Sequence, residues 1–495
     1  MNKSYIYAEA VVKSEGGISL FEISNLNISS ENIMKFFSST ELVNQATQRL
    51  LDEGFNVLHT NSISITIAAP IEVYEEVFKT KILKKEKIKQ TNSNEIDKKT
   101  YFDTSDTHIR GLIDTSKSSL ADVLEGIAIE EPGHYISSIN YIQQMADNLP
   151  NIKELLPTAF PPSKSYWHLN VPADVSLGIN ADKTHRLGIT GKGIKVIMVD
   201  SGWYRHPFFV ERGYQVNPVV LGVNVENPDH DEVGHGTGES ANIFSIAPDV
   251  DFTMVKANEN YLSASFKIAV DLEPDIISCS WFTEEVEPGS ELSASGRVLA
   301  ATIAYAVNKG ITVIFAGGND QWAFPGQHPD VISVGGTYMH TDGTFEATSF
   351  TSGFSSPIYK ERNCPDICGL VGVKPKAQYI MLPVEPNSIH DDIFSGGKHP
   401  QGDETLNNDG WAAFSGTSAA APQIAGICAL MKQVSPDLSP IQLKHVLKET
   451  ARDVIKGNSG PKTGGHEATE GVDLATGYGL ADAYAAILKV HSRYN

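Results

Sequence analysis

Ile194-Lys195-Val196-Ile197-Met198-Val199-Asp200-Ser201-Gly202 decides the fold: a near-continuous apolar run ends in a carboxylate and then turns at glycine. A run of this kind, bounded by turn residues, is the pattern of a strand covered on both faces. Further runs follow at Asp251–Lys256, Asp275–Ser280, Ile311–Phe315 and Val331–Val334, with helical spacing between them, notably over Val298–Asn308. Buried strands alternating with helices predict an α/β domain, a mostly parallel sheet with helices on both faces. Ligands gather at the carboxyl ends of such strands.

Reactive side chains stand at those ends. Asp200 directly follows the first strand, where a rigid strand end holds a carboxylate toward the crevice. His235 lies in Gly234-His235-Gly236-Thr237-Gly238, ahead of a helix expected over about Glu239 to Phe244. Asn319 follows the fourth strand in Phe315-Ala316-Gly317-Gly318-Asn319-Asp320. Ser418 lies in Phe414-Ser415-Gly416-Thr417-Ser418-Ala419-Ala420-Ala421-Pro422, a glycine turn that delivers a serine to the start of a helix of small residues. The alanines leave the approach to Ser418 unobstructed, and the free N–H groups of a helix start present positive dipole to a developing oxyanion. Each residue alone has a plainer reading: Asp200 and Asn319 as turn formers, His235 as a loop histidine, Ser418 as a helix cap. Four reactive types at loop positions of one domain favour a shared site.

Asp-Ser-Gly, His-Gly-Thr, Ala-Gly-Gly-Asn and Gly-Thr-Ser-Ala-Ala-Ala-Pro occur here in the chain order of the subtilisin-like serine peptidases (subtilases). From about Ile189 to Gly477-Tyr478-Gly479-Leu480-Ala481-Asp482-Ala483 the chain resembles that family. The resemblance implies a serine endopeptidase that hydrolyses peptide or protein substrates through an acyl-enzyme and needs no cofactor. Ser418 is then the nucleophile, His235 the base that takes its proton and returns it to the leaving amine, and Asp200 the carboxylate that orients the imidazole. Asn319 donates its side-chain N–H to the oxyanion beside the backbone N–H of Ser418, and losing such a donor costs about 3–4 kcal/mol of transition-state stabilisation. Ser280 and Trp281 belong to the segment that pairs with an extended substrate by strand addition, and Gly317 and Gly318 leave room at the pocket floor.

Two features depart from the family. Many subtilases continue His-Gly-Thr with a second histidine, whereas Gly238 and Glu239 follow here. Glu239, one helical turn after His235, is placed to tune the imidazole or to meet a basic substrate residue; its plainer reading is a first-turn acid favoured by the helix dipole. Phe282 stands where glycine is usual and alters the specificity pocket. The alternative function is a catalytically silent or permanently inhibited subtilase-like protein whose cleft binds peptide.

Upstream, the pattern is that of a small α+β ferredoxin-like domain. Residues 5–12 read as a strand, and Thr40–Glu53 as a helix with Leu42, Val43, Ala46, Leu50 and Leu51 at helical spacing and Thr40 as its cap. Strands at Phe55–Leu58 and Ser62–Ala69 follow, and Pro70 opens a short helix through Val77. Over about residues 40–85 this resembles the pro-domains of sedolisin and subtilisin-like peptidases, which implies a folding template and inhibitor of the remainder. The other reading is an unrelated interaction module. Lys84–Lys99, almost without large apolar residues, reads as a solvated, mobile loop. A second boundary at about Asp147–Lys164, with Pro150, Pro157, Pro161 and Pro162, divides a pro-domain and linker (1–150) from the peptidase domain (151–495).

Composition narrows the rest. The 495 residues suffice for two or three domains, and 39 Lys+Arg against 60 Asp+Glu give a net charge of −21, which speaks against nucleic acid or an anionic membrane as partner. No apolar run is long enough for a membrane span. Met1–Ala10 lacks the unbroken apolar core of a signal peptide, so a cytoplasmic protein or an unusual export route is expected. Cys279, Cys364, Cys368 and Cys428 are too few for a disulfide framework and read as reduced structural thiols, although Cys364-Pro365-Asp366-Ile367-Cys368 has a spacing open to a bridge or a metal. Asp229-His230-Asp231-Glu232 and Asp403-Glu404 could attract the structural calcium that the resemblance to subtilases implies, but they lack the alternating spacing of a calcium loop and read as solvated charge, so no metal site is assigned.

Overall fold

The computed structural model describes residues 5–22, 28–90, 96–135 and 156–494. Its main sheet runs Val220–Leu221, Asp251–Lys256, Lys195–Asp200, Ile276–Cys279, Thr312–Ala316 and Ile332–Met339, all parallel. Ile367–Leu370 joins the last strand in parallel and Phe345–Ala347 antiparallel. The chain leaves Lys195–Asp200 first toward Asp251–Lys256 on one side, then crosses to Ile276–Cys279 on the other. Strand order therefore reverses at Asp200, and the crevice there is where such sheets bind ligands.

Period-two alternation sends successive side chains to opposite faces. Val196 and Met198 join the core with the helices His235–Ile246 and Thr417–Val434, while Ile197 and Val199 join Leu262–Asp271 and Ala294–Asn308. The expected α/β layering is thus present, with the catalytic-candidate helices on one face.

The N-terminal unit is a five-stranded antiparallel sheet in the order Asn56–Thr60, Ser64–Pro70, Tyr5–Val12, Leu124–Ile129 and Leu112–Ile113. Helices Thr40–Asp52 and Ile71–Phe78 cover one face through Val43, Ala46, Leu50, Tyr74 and Phe78. The first helix is capped by Ser39, whose Oγ accepts from Leu42 N at 3.2 Å; Thr40 is its first helical residue rather than its cap.

The opposite face of that sheet lies on the α/β unit. Val11, Leu112 and Ala128 pack on Ala294, Val298 and Ala301. At the interface Lys267 Nζ meets Glu9 Oε2 at 2.7 Å, with Ser64 and Thr66 hydroxyls donating to the same carboxylate at 2.6 Å each. Glu130 Oε1 accepts from Ser263 N at 3.0 Å and Ala264 N at 3.3 Å, capping the helix Leu262–Asp271 from the neighbouring unit.

The solvated loop expected over 84–99 is instead part of a hairpin, Ile82–Gln90 paired with Ile96–Thr104 from Ile82↔Thr104 to Gln90↔Ile96. Composition misleads here because the hairpin needs no second apolar face: Lys85 pairs with Asp103 at 2.6 Å, and Lys99 Nζ reaches Gly133 O at 2.6 Å. The expected boundary between 150 and 151 lies outside the described residues. Among the described residues no helix is long and apolar enough to cross a membrane. All four cysteines are buried free thiols, and burial pushes Cys368 and Cys428 up to about 12, which leaves them unreactive.

Candidate active site

Asp200 is the last residue of its strand and is fully buried. Its Oδ1 lies 2.7 Å from His235 Nδ1 and also accepts from Ser201 N at 2.7 Å. His235 is the first residue of the helix His235–Ile246, which begins four residues earlier than its propensities suggest. Gly236 and Gly238 disfavour a helix alone, but close packing on Gly202, Phe414 and Leu382 draws them in. Burial alone would lower the His235 imidazole, but the charge and hydrogen bond of Asp200, with Glu239 and Asp231 behind them, hold it up at about 9.

Asp231 corrects the reading of its loop as solvated charge. It is fully buried: Oδ1 accepts from Ser201 Oγ at 2.7 Å and Gly234 N at 3.0 Å, and Oδ2 from Thr237 N at 2.8 Å and Thr237 Oγ1 at 2.7 Å. One carboxylate thus ties the turn after Asp200 to the first turn of the histidine helix. The available signal was a short acid just before a glycine-led helix, where side-chain acceptors bond local N–H groups. Asp403 is also buried, accepting from Thr405 and Ala413, whereas Glu232 stays at the surface and pairs with Lys256 at 2.8 Å.

Ser418 is the second residue of the helix Thr417–Val434, as the glycine turn implied. Asn319 Oδ1 accepts from Thr417 N at 3.0 Å and Thr417 Oγ1 at 3.1 Å, which commits that oxygen and frees the amide nitrogen. Ser280 Oγ donates to Ser418 O at 2.9 Å. Among the described residues Ser418 Oγ, His235 Nε2 and Asn319 Nδ2 are all buried without a hydrogen-bond partner. The serine–imidazole hydrogen bond is therefore not made in this structure.

The cleft beside them is occupied by the chain itself. His134-Tyr135, from the N-terminal unit, pairs antiparallel with Trp281-Phe282. The Tyr135 ring lies 5.5 Å from the His235 ring, its hydroxyl donates to Ala257 O at 2.7 Å, and His134 stacks on Phe282 at 5.0 Å. An open groove of about 370 Å³ continues past Tyr135 along Asn224, Glu226, Lys256 and Glu259. Trp281 offers only its backbone to a paired strand. Its side chain is buried, donating to Val199 O at 2.9 Å and standing edge-on to Phe315, so the side chain is core rather than substrate contact. Gly317 and Gly318 are needed for packing: a Cβ on Gly317 would meet Val334 O at 2.9 Å, and Gly318, at φ +111, would meet Ser352 Oγ at 2.7 Å.

Gly238 packs against the Phe414 ring. A Cβ there would meet Phe414 Cζ at 2.5 Å, so the Phe414 ring fills that space. Gly238→Ala is therefore expected to lower stability by about 1–3 kcal/mol through overpacking, read as a drop in Tm. His390, unnoticed in the sequence, brings a second imidazole beside the first: its ring stands edge-on to His235 at 5.4 Å, and burial lowers it to about 3. Glu239, for which the sequence leaves open a tuning group for the imidazole, a contact for a basic substrate residue and a helix-start acid, is fully buried with its Oε1 3.9 Å from His235 Nε2. Among the described residues no group of three or more His, Cys, Asp or Glu is placed to hold a metal ion.

A model described as the subtilase family matches residues 191–479. The chain is 27% identical over 299 residues to M-protease of Shouchella clausii (strain KSM-K16), covering 57% of this chain and 65% of that protein. It is 27% identical over 299 residues to subtilisin BL of Lederbergia lenta, covering 57% of this chain and 91% of that one. The crystal structure of fervidolysin from Fervidobacterium pennivorans, described as a keratinolytic enzyme related to subtilisin, shares the fold with a TM-score of 0.54 at 15% identity, over 98% of this chain and 61% of that one. The match thus spans about 65% of M-protease and 61% of the fervidolysin chain.

Proposed function

This chain belongs to the subtilase family, and on that premise we propose that it is a serine endopeptidase acting on peptides or proteins through an acyl-enzyme. One observation carries the reading: the buried Asp200–His235 pair stands where strand order reverses, the helix that carries Ser418 packs on the helix that carries His235, and Ser418 Oγ and Asn319 Nδ2 are buried without hydrogen-bond partners among the described residues. In the forward step Ser418 Oγ bonds to the substrate carbonyl carbon while His235 Nε2 takes the hydroxyl proton. Asp200 keeps the other ring nitrogen protonated, and the oxyanion accepts from Asn319 Nδ2. Collapse breaks the C–N bond as Nε2 returns its proton to the leaving amine, and water then attacks the ester by the same route.

The N-terminal unit acts as the inhibitor in this reading. His134-Tyr135 runs along Trp281-Phe282, the strand that extended peptides join by backbone pairing, and Tyr135 packs on the base. The missing serine–imidazole bond favours a second reading, a silent peptide-binding protein. Fluorophosphonate labelling after limited proteolysis of the N-terminal unit separates the two. The peptidase reading expects an adduct on the Ser418 peptide and none in Ser418→Ala. Absence of an adduct from both proteins leaves the silent reading standing.

A further inference from the structure

We propose that Glu239 is a positioning residue for the base: its carboxylate, set against Nε2 of His235, holds the imidazolium and delays release of the base to alkaline pH. The proposal rests on the serine-peptidase reading above and adds a second carboxyl to it.

His235 and Glu239 are one turn apart on a single helix, so their side chains share a face. Glu239 Oε1 lies 3.9 Å from Nε2, with both side chains at most 1% exposed. Its Oε2 accepts from Asn242 Nδ2 at 2.9 Å, and Asn242 Oδ1 in turn accepts from Gln423 at 3.5 Å. That bond fixes one oxygen and leaves Oε1 buried without a hydrogen-bond partner among the described residues. The imidazole consequently has a carboxyl toward each nitrogen, Asp200 at Nδ1 and Glu239 at Nε2.

The other groups near the pair are Asp200 from its strand, Asp231 from the preceding loop, His390 at 5.4 Å, Tyr135 at 5.5 Å, and Gln423 of the serine helix through Asn242. His390 and Tyr135 are held neutral by burial, so neither offsets the pair. Burial pushes Glu239 up to about 8 against the pull of the imidazolium, and His235 stands at about 9. Their protons leave in two coupled steps as pH rises, and Nε2 is free to accept from Ser418 only after the imidazolium deprotonates. A carboxylate at Nε2 raises the pH of that step; removing it lowers the pH.

The test is an NMR titration of isotope-labelled histidine in full-length Ser418→Ala protein, with and without Glu239→Gln. Glutamine keeps the size and an acceptor for Asn242. The expected result is a fall of about one unit in the His235 midpoint, the order of effect of one charge at this range, with a smaller fall in Glu239→Asp. An unmoved midpoint in the folded Gln variant overturns the proposal. Should that variant not fold, carboxyl-carbon titration of Glu239 in the Ser418→Ala protein decides: coupled steps with His235 support the pair, and an independent carboxyl refutes it. A shifted midpoint in a chain that fluorophosphonate never labels would sink the peptidase reading alone.

Discussion

Ser418→Ala is expected to lower kcat toward peptides on the order of a millionfold, the size of loss when the nucleophile of such a triad is removed, and to leave stability intact or slightly improved. The two halves of this expectation come from one fact. Ser418 Oγ is buried and makes no hydrogen bond among the described residues, so deleting it forfeits no hydrogen bond and relieves a desolvated hydroxyl. The chemistry loses everything because Asp200 and His235 then have no oxygen to activate. A mass spectrum and a thermal melt of the purified proteins read both at once. The mutant should remain the full 495-residue chain, the wild type should be shortened if it cuts itself, and the mutant Tm should not fall. A clear drop in Tm would show that the hydroxyl holds the fold, and equal kcat values would remove Ser418 from the reaction.

Lys267→Met should release the N-terminal unit from the cleft. The ammonium meets Glu9 at 2.7 Å, with both side chains at most 4% exposed, and Ser64 and Thr66 complete the shell around the carboxylate. Breaking such a pair from one side strands the remaining charge and costs about 3–5 kcal/mol, hence roughly two to three and a half powers of ten in docking. Burial, the largest influence on Glu9, raises its pKa, but Lys267 and the two hydroxyls outweigh it and hold the carboxyl below its ordinary value. The contribution of this group to docking is therefore present above the ordinary glutamate range and lost as pH falls through the lowered folded value. Fluorophosphonate labelling of the full chain provides the readout: Lys267→Met should label faster than wild type, and the double variant Lys267→Met/Glu9→Gln should recover part of the protection. An unchanged rate would mean that the interface does not depend on this pair.

The five buried strands, and the placing of Asp200, Asn319 and Ser418 at element ends, were legible because they rest on local information: apolar runs, glycine turns and residue type. The same is true of the α+β character of the N-terminal unit, where alternation over Ser64–Pro70 and helical spacing over Thr40–Asp52 survive in the fold. Composition was no such guide to the hairpin, since Ile82–Gln90 and Ile96–Thr104 are held by cross-strand pairing rather than by apolar content.

Burial of polar groups was settled only in three dimensions. Asp231 and Glu239 read in the chain as solvated charge and as a helix-start acid, and both are enclosed in the fold: Asp231 accepts from Ser201 on the preceding strand turn and from nearby Thr237, while Glu239 meets His235 and Asn242 of its own helix, and Gln423 of the serine helix bonds to Asn242. Likewise nothing near His134-Tyr135 marks it as the strand beside Trp281-Phe282; that pairing exists because the sheet around Glu9 docks on the helix of Lys267 and carries the following residues into the cleft. Residue chemistry thus determined which groups this protein has for the proposed peptide hydrolysis. Long-range packing decided how strongly water is excluded from them, and so their charge, their partners and which part of the chain lies against the base.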